Sequence, residues 1–241
     1  MTKEARTSRS PLLVTSEHGG NRVPPAYGDL FRGHDALLSS HRGWDPGTLD
    51  LAHDLAAGLG APFVTATVTR LLVDLNRSPH NPRAFSEITR GLPREERREL
   101  LDRYHRPHWE AVRTALHATT HGRERALHVA VHSFTPTFNG TTRRTDLALL
   151  YDPARRPERE LAEAWVRAMR ARASDLVIRR NDPYRGASDG LTTALRRERG
   201  PASYLGIEIE VSQRHVGRDG RFAPWVAELL INGLGAAVRD G

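Results

Sequence analysis

Short apolar runs alternate with stretches of helical spacing along the whole chain. Pro11 to Thr15 is an apolar run closed by Gly19-Gly20, the pattern of a buried strand. Residues 48–59 place Leu51, Leu55 and Leu59 on one helical face. Phe63 to Thr69 is β-branched and strand-like, and the run Leu71-Leu72-Val73 follows it. Pro93 with Glu95 and Glu96 marks a helix start. Leu101, Tyr104, His108, Val112 and Ala115 then share a face, and Pro107 is expected to kink or split that helix. Leu127–Val131 and Asp146–Tyr151 are further strands. Residues 157–173 form an amphipathic helix carrying Leu161, Trp165 and Met169. Leu176–Ile178 and Leu205–Val211 are the last strands, and 223–238 the closing helix. Residues 1–10 read as a loose arm. The alternation predicts α/β class: one three-layer αβα sandwich over 11–241, with a mixed, mostly parallel central sheet.

Composition narrows the function classes. At 241 residues the chain can bury a sizeable core, and it has no Cys, which removes disulfides, thiolate ligands and Cys nucleophiles. No apolar run approaches the ~20 residues of a membrane span, and the N-terminus lacks the apolar region of an export signal, so a cytoplasmic location is expected. The net charge is +7, and all but one of the 36 basic residues are Arg. A basic balance points to nucleic acid or to an anionic substrate. Here the arginines are interleaved with acids along helices, as on solvated faces. Aromatic residues, at 6%, give a base-stacking platform little material. No nucleic-acid partner is expected, and a non-catalytic nucleic-acid-binding protein is the alternative from another class.

In α/β sheets ligands gather at the carboxyl ends of strands. His18 and His132 both stand there, each just past an apolar run. Together they suit a Zn²⁺ site, although other divalent ions accept the same donors. The other ten histidines, such as His117 and His121, are expected on the surface. A third ligand must be an oxygen or nitrogen donor. Asp45, in a Gly- and Pro-rich loop, is the favoured candidate, with capping of the helix near residue 46 as its structural alternative. Glu17 is the other candidate, but adjacent residues of an extended chain point to opposite faces. Glu208 and Glu210 share one face of a strand whose other face is Ile207, Ile209 and Val211. Two carboxylates in a buried strand require a compensating cation or donor, which makes them candidate general bases. Asn76 and Arg77 follow Asp74-Leu75, and Arg77 is suited to bidentate carboxylate binding. Arg185, in a turn, and Arg143 with Arg144, in a Thr-rich loop, are further anion-binding candidates. That loop reads either as a cover for the substrate or as ordinary solvated chain.

The segments SEHGGNRVP, WDPG, VDLNRSP, RYHRPHWEAV, VAVHSF, DLALLYD, NDPYRG and GIEIEVSQ occur in this order over residues 11–215. In this set the chain resembles the N-formylglutamate amidohydrolase family. The resemblance implies a phosphorylase/hydrolase-like sandwich related to zinc carboxypeptidases and aspartoacylases. It implies zinc on His18 and His132, an Asn76-Arg77 pair for a substrate carboxylate, and Glu210 as catalytic base with Glu208 as alternative. The carboxypeptidase relatives take a carboxylate three residues after the first histidine. Here that residue is Asn21, whereas the amidohydrolase family has an Asp further on, in line with Asp45. Glu17 stands where the best-known formylglutamate enzymes are proline-like, which implies a sister branch.

The leading expectation is a zinc-dependent amidohydrolase of an N-formyl- or N-acyl-amino acid, a small carboxylate-bearing amide. The second is a carboxypeptidase-like hydrolase of peptides or cell-wall fragments, which a broad open cleft would favour.

Overall fold

In the computed structural model, which describes residues 11–120 and 125–239, two nine-residue strands are buried along their whole length: Ala126–Phe134 (β3) and Tyr204–Ser212 (β8). They pair in parallel at the centre of a six-stranded sheet. Leu12–Ser16 (β1) flanks β3 in parallel, and Phe63–Thr65 (β2) forms the edge beyond it. On the other side Leu147–Leu150 (β6) runs antiparallel to β8 and pairs in parallel with Ile178–Arg180 (β7). The order is β2-β1-β3-β8-β6-β7, a mixed and mostly parallel sheet as expected. A small hairpin, Thr137–Phe138 (β4) with Thr141–Thr142 (β5), stands apart from it.

Strand alternation sorts the side chains into two different layers. Val129, Val131, Ile207, Ile209 and Val211 face helices Thr48–Leu59 (α2), Arg156–Arg170 (α5) and Pro224–Arg239 (α7) in the main core. Each such side chain contributes about 1.5–3 kcal/mol by leaving water. Gly233 lets α7 approach α5 closely, because a Cβ there would lie 2.6 Å from Met169 Cγ. The opposite face meets Arg106–Thr120 (α4) and Leu191–Glu198 (α6) through a smaller apolar cluster that includes Leu13, Trp109, Leu116 and Leu195. This second face also carries the buried polar side chains Thr15, His128, His132, Glu208 and Glu210.

Several local expectations are corrected. The strand expected to reach Thr69 ends at Thr65, and Leu71-Leu72-Val73 is a turn. Its apolar side chains fill a satellite core with Phe31, Leu75 and Leu100 rather than a sheet. Helix α6 escaped notice, as did the short helix Asp35–Ser39 (α1). Where a kink or split is expected at Pro107, the helix instead runs on: Arg94–Leu100 (α3) passes into a π turn at Leu101–His105 before α4 begins. Pro107 has no N–H for the carbonyl of Arg103, so the helix widens instead of breaking. The expected arm at 1–10 and the site of His121 lie outside the described residues. His117 is exposed as expected, but His105, His108 and His128 are buried. The parity that puts His132 on the polar face of β3 puts His128 there too.

Two buried polar groups tie the layers. Glu158 of α5 receives two bonds from Arg196 Nε of α6, and one from the backbone N–H of Gly206. Arg196 also donates to the carbonyls of Gly186 and Gly206, which fixes the segment preceding α6. Glu158→Ala leaves Arg196 buried without its partner, and a loss of about 3–5 kcal/mol in chemical denaturation is expected. His128 lies between Thr15 Oγ1 at 2.8 Å and Tyr204 Oη at 2.7 Å. Both hydroxyls can donate or accept, so either neutral tautomer is satisfied. Burial, helped by the Arg196 charge, lowers the His128 pKa to about 4. The unfolded chain takes up this proton near pH 6.5, so it binds more protons than the folded state between those values. Stability should therefore be full above pH 6.5 and fall as pH drops towards 4, by about 3 kcal/mol from this residue. Urea titrations across pH should show a shallower slope for His128→Gln; an unchanged slope would contradict the assignment.

Candidate active site

The carboxyl ends of β1 and β3 bring His18 and His132 together, with ring centroids 5.3 Å apart. Asp45 joins them because its backbone N–H donates to the His18 carbonyl at 2.9 Å. Gly47, at φ +81°, then turns the chain into α2. The capping alternative for Asp45 does not hold, since α2 has Gly47 at its cap and no side-chain cap bond. The Asp45 carboxylate instead faces inward. Its Oδ2 lies 3.1 Å from His132 Nδ1 and 3.4 Å from His18 Nδ1. One donor atom from each of His18, Asp45 and His132 falls within 4.8 Å of the others, and all three residues are buried.

Each histidine has a second carboxylate on its far nitrogen. His18 Nε2 lies 2.7 Å from Asp74 Oδ1, and His132 Nε2 lies 3.2 Å from Glu17 Oε2. Glu17 is thus not placed as a third ligand. In the turn just past β1 it lies behind His132, on the side of α4, where His108 Nε2 is 3.7 Å from its other oxygen. Arg70 bridges the two aspartates, 3.3 Å from Asp45 Oδ1 and 2.8 Å from Asp74 Oδ2. Sequence reasoning missed Arg70, Glu17 as a partner of His132, and His108. An arginine within the apolar stretch VTRLLVDL, four residues before an aspartate, was the available signal for Arg70.

These neighbours set the charges. Burial alone would raise the pKa of Asp45, but the two imidazoles and Arg70 outweigh it and hold the carboxyl well below its ordinary range. For Asp74, burial is likewise outweighed, by Arg70 and His18. Burial would lower the pKa of His132, yet Asp45 and Glu17 raise it well above the ordinary value. Glu210 sits in register with His132 across β3 and β8. Burial pushes its pKa up to about 8, against the pull of His132 and with the push of Asp45 and Glu208. One of its oxygens is buried without a hydrogen-bond partner. Glu208 is engaged differently, accepting a bond from Thr192 Oγ1 of α6.

The expected anion-binding residues divide into two groups. Asn76, Arg77 and Arg185 line one cleft of about 970 Å³ with His18, Asp45 and His132. Asn76 Oδ1 accepts from the Leu191 backbone and so caps α6, whose own cap residue is Gly190. Arg77 Nη1 donates to the Asp189 carbonyl at 2.7 Å. Arg143 does not line the cleft. Its guanidinium stacks on Phe138 at 4.6 Å and Tyr184 at 5.1 Å, pinning the β4–β5 hairpin, and Arg144 is exposed.

The sequence model of the family described as N-formylglutamate amidohydrolase matches residues 10–216. The chain belongs to that family. A curated relative, the N-formylglutamate deformylase of Pseudomonas aeruginosa, is 32% identical over 87 residues, which are 36% of this chain and 31% of the relative. The match thus spans less than a third of that relative's length. Among solved structures, gene product Atu2144 from Agrobacterium tumefaciens aligns with a TM-score of 0.83 at 29% identity, over 96% of this chain and 92% of that one. The N-formylglutamate amidohydrolase from Ralstonia eutropha JMP134 aligns at 0.66 and 18% identity with the same coverage, a likeness of fold.

The donor set passes a test of fit to a divalent cation. His18 Nδ1 is buried without a hydrogen-bond partner and faces a carboxylate and a second imidazole. Both Nε2 atoms already have carboxylates beside them, the arrangement that orients histidine ligands in metal sites. Replacing Glu17 by Gln removes the charge behind His132. Zinc affinity, measured by competition with a chromophoric chelator, should fall about 10- to 100-fold. Unchanged affinity would separate Glu17 from the site.

Proposed function

We propose that the protein is a metal-dependent amidohydrolase acting on an N-formyl- or N-acyl-amino acid that bears a carboxylate. The observation that carries this reading is the convergence of His18 Nδ1, Asp45 Oδ2 and His132 Nδ1, with Glu210, one oxygen of which is buried without a partner, in register beside His132. Membership of the N-formylglutamate amidohydrolase family supports the same chemistry. His18, Asp45 and His132 would hold the cation, zinc or a neighbouring divalent ion, given two imidazoles and one carboxylate. When bound, it would supply Lewis-acid polarisation of the acyl carbonyl and acidify a water.

The remaining work falls to side chains of the chain. Glu210 is the base: its free oxygen takes the proton of the attacking water and returns it to the leaving nitrogen. Glu208 is less suited, because Thr192 already occupies one of its oxygens. A nearby cation would draw the raised Glu210 pKa back towards the ordinary range, keeping the base ionised. Arg77 anchors the substrate carboxylate, held in place by the Asp189 carbonyl. Asn76 fixes the connection between them through its cap on α6. Arg185 adds a second positive group at the cleft wall. Several surface arginines pair with acids of the same helix, as in Arg103–Glu99, Arg106–Asp102 and Arg156–Glu160, so this part of the basic balance is matched within the chain. Among the described residues no helix is long and apolar enough to cross a membrane.

Glu210→Gln should lower kcat on N-formylglutamate by about 10²–10⁴-fold while metal content, measured by element-resolved mass spectrometry, is retained. Hydrolysis at the wild-type rate by the variant would remove Glu210 from the reaction.

A further inference from the structure

The cleft is larger than a single amino acid requires. Its volume of about 970 Å³ is at the upper end of what encloses a drug-sized ligand. Six arginines line it, Arg42, Arg70, Arg77, Arg83, Arg90 and Arg185, alongside six carboxylates. Three of them are already engaged. Arg42 pairs with Glu87 at 2.6 Å, Arg70 with Asp45 and Asp74, and Arg77 with the Asp189 carbonyl. Arg83, Arg90 and Arg185 are exposed, and among the described residues no carboxylate lies within 4.0 Å of them. The acids of the wall have partners of their own: Glu87 pairs with Arg42, Asp45 and Asp74 with Arg70, while Asp189 accepts from Asn81 and Ser78 and Glu208 from Thr192, so these three guanidinium groups are left to meet an anion from outside.

Their position along the chain indicates which end of a substrate they meet. Arg83 and Arg90 belong to the same connection between β2 and α3 that carries Arg77. That connection is joined to the 184–189 segment where Asn81 Nδ2 and the Ser78 N–H both donate to Asp189 Oδ2. Arg83, Arg90 and Arg185 therefore continue the wall on which Arg77 stands, the side of the leaving amine. Guanidinium groups prefer planar, bidentate anions such as carboxylates.

We infer that the cleft receives a short acidic peptide: an acyl-amino acid extended on its amine-side residue by further carboxylate-bearing residues, which Arg83, Arg90 and Arg185 bind. The position of the cleaved amide rests on the hydrolase reading above. The binding of the anionic extension does not.

The test is calorimetric titration of zinc-loaded protein with tetraglutamate and with tetraglutamine, alongside a rate measurement on N-formylglutamate. Tetraglutamate should bind at least roughly tenfold tighter than tetraglutamine, and the Arg83→Ala/Arg90→Ala double variant should lose roughly tenfold for tetraglutamate alone. Both side chains are exposed, so the variant is expected to fold, which its thermal melt checks. Arg218→Ala, exposed on the loop before α7, controls for diffuse attraction to a cationic protein. Equal affinity for the two peptides, or an equal loss in Arg218→Ala, would overturn the inference even if N-formylglutamate is hydrolysed. A tetraglutamate preference that depends on Arg83 and Arg90 supports it even if no N-formyl amide is cleaved, in which case the hydrolase reading fails on its own.

Discussion

Buried negative charge at the carboxyl edge of the sheet is the constraint around which the site is organised. Glu17, Asp45, Asp74 and Glu210 are all buried there within reach of two imidazoles and one arginine. Desolvation opposes every one of these charges. Asp45 and Asp74 stay ionised because Arg70 and the histidines face them, whereas Glu210, with a free oxygen, is the carboxylate that yields to burial. A cation held as proposed between His18, Asp45 and His132 would relieve this imbalance and so couple stability to metal loading. The fold serves the same end: the apolar layer of α2, α5 and α7 leaves the other face of β3 and β8 to carry the polar side chains.

Much of this was legible in the chain, for identifiable reasons. Strands β3 and β8 are strictly alternating, so parity alone put Glu208 with Glu210 and separated them from Ile207 and Ile209. His18 and His132 were visible as polar residues terminating apolar runs. The connection from Ala66 to Asn76 misled because a satellite core buries apolar residues as thoroughly as a sheet does, and composition does not distinguish the two. Glu17 illustrates the other limit. The expected alternation does not apply, because Glu17 and His18 lie in the turn beyond β1; only the packing of β1 against β3 shows that Glu17 stands behind His132. Helix α6 was hidden because its start is capped from outside, by Asn76, 115 residues away in sequence from the Leu191 N–H it receives.

That cap has a mechanical meaning. One amide side chain joins the Arg77 connection to the helix whose Thr192 holds Glu208 and whose Arg196 reaches Glu158. The wall of the cleft and the second polar layer of the sheet are therefore one connected unit. The β4–β5 hairpin, by contrast, is attached through stacking of Arg143 on Phe138 and Tyr184.

The π turn at Leu101–His105 bears on how the chain tolerates insertions and deletions. It holds one residue more than an α-turn, and it lies between Leu100 in the satellite core and His108 beside Glu17. Each helical residue advances the direction of the next by about 100°. In a regular helix one added residue would therefore turn everything beyond it by that angle. The π turn winds the extra residue into a single wide turn, so Leu100 keeps its place in the satellite core while His108 and Trp109 keep theirs against the sheet. This turn is thus the point of the helix at which one residue can be lost, by a return to regular winding, without either end changing the face it buries.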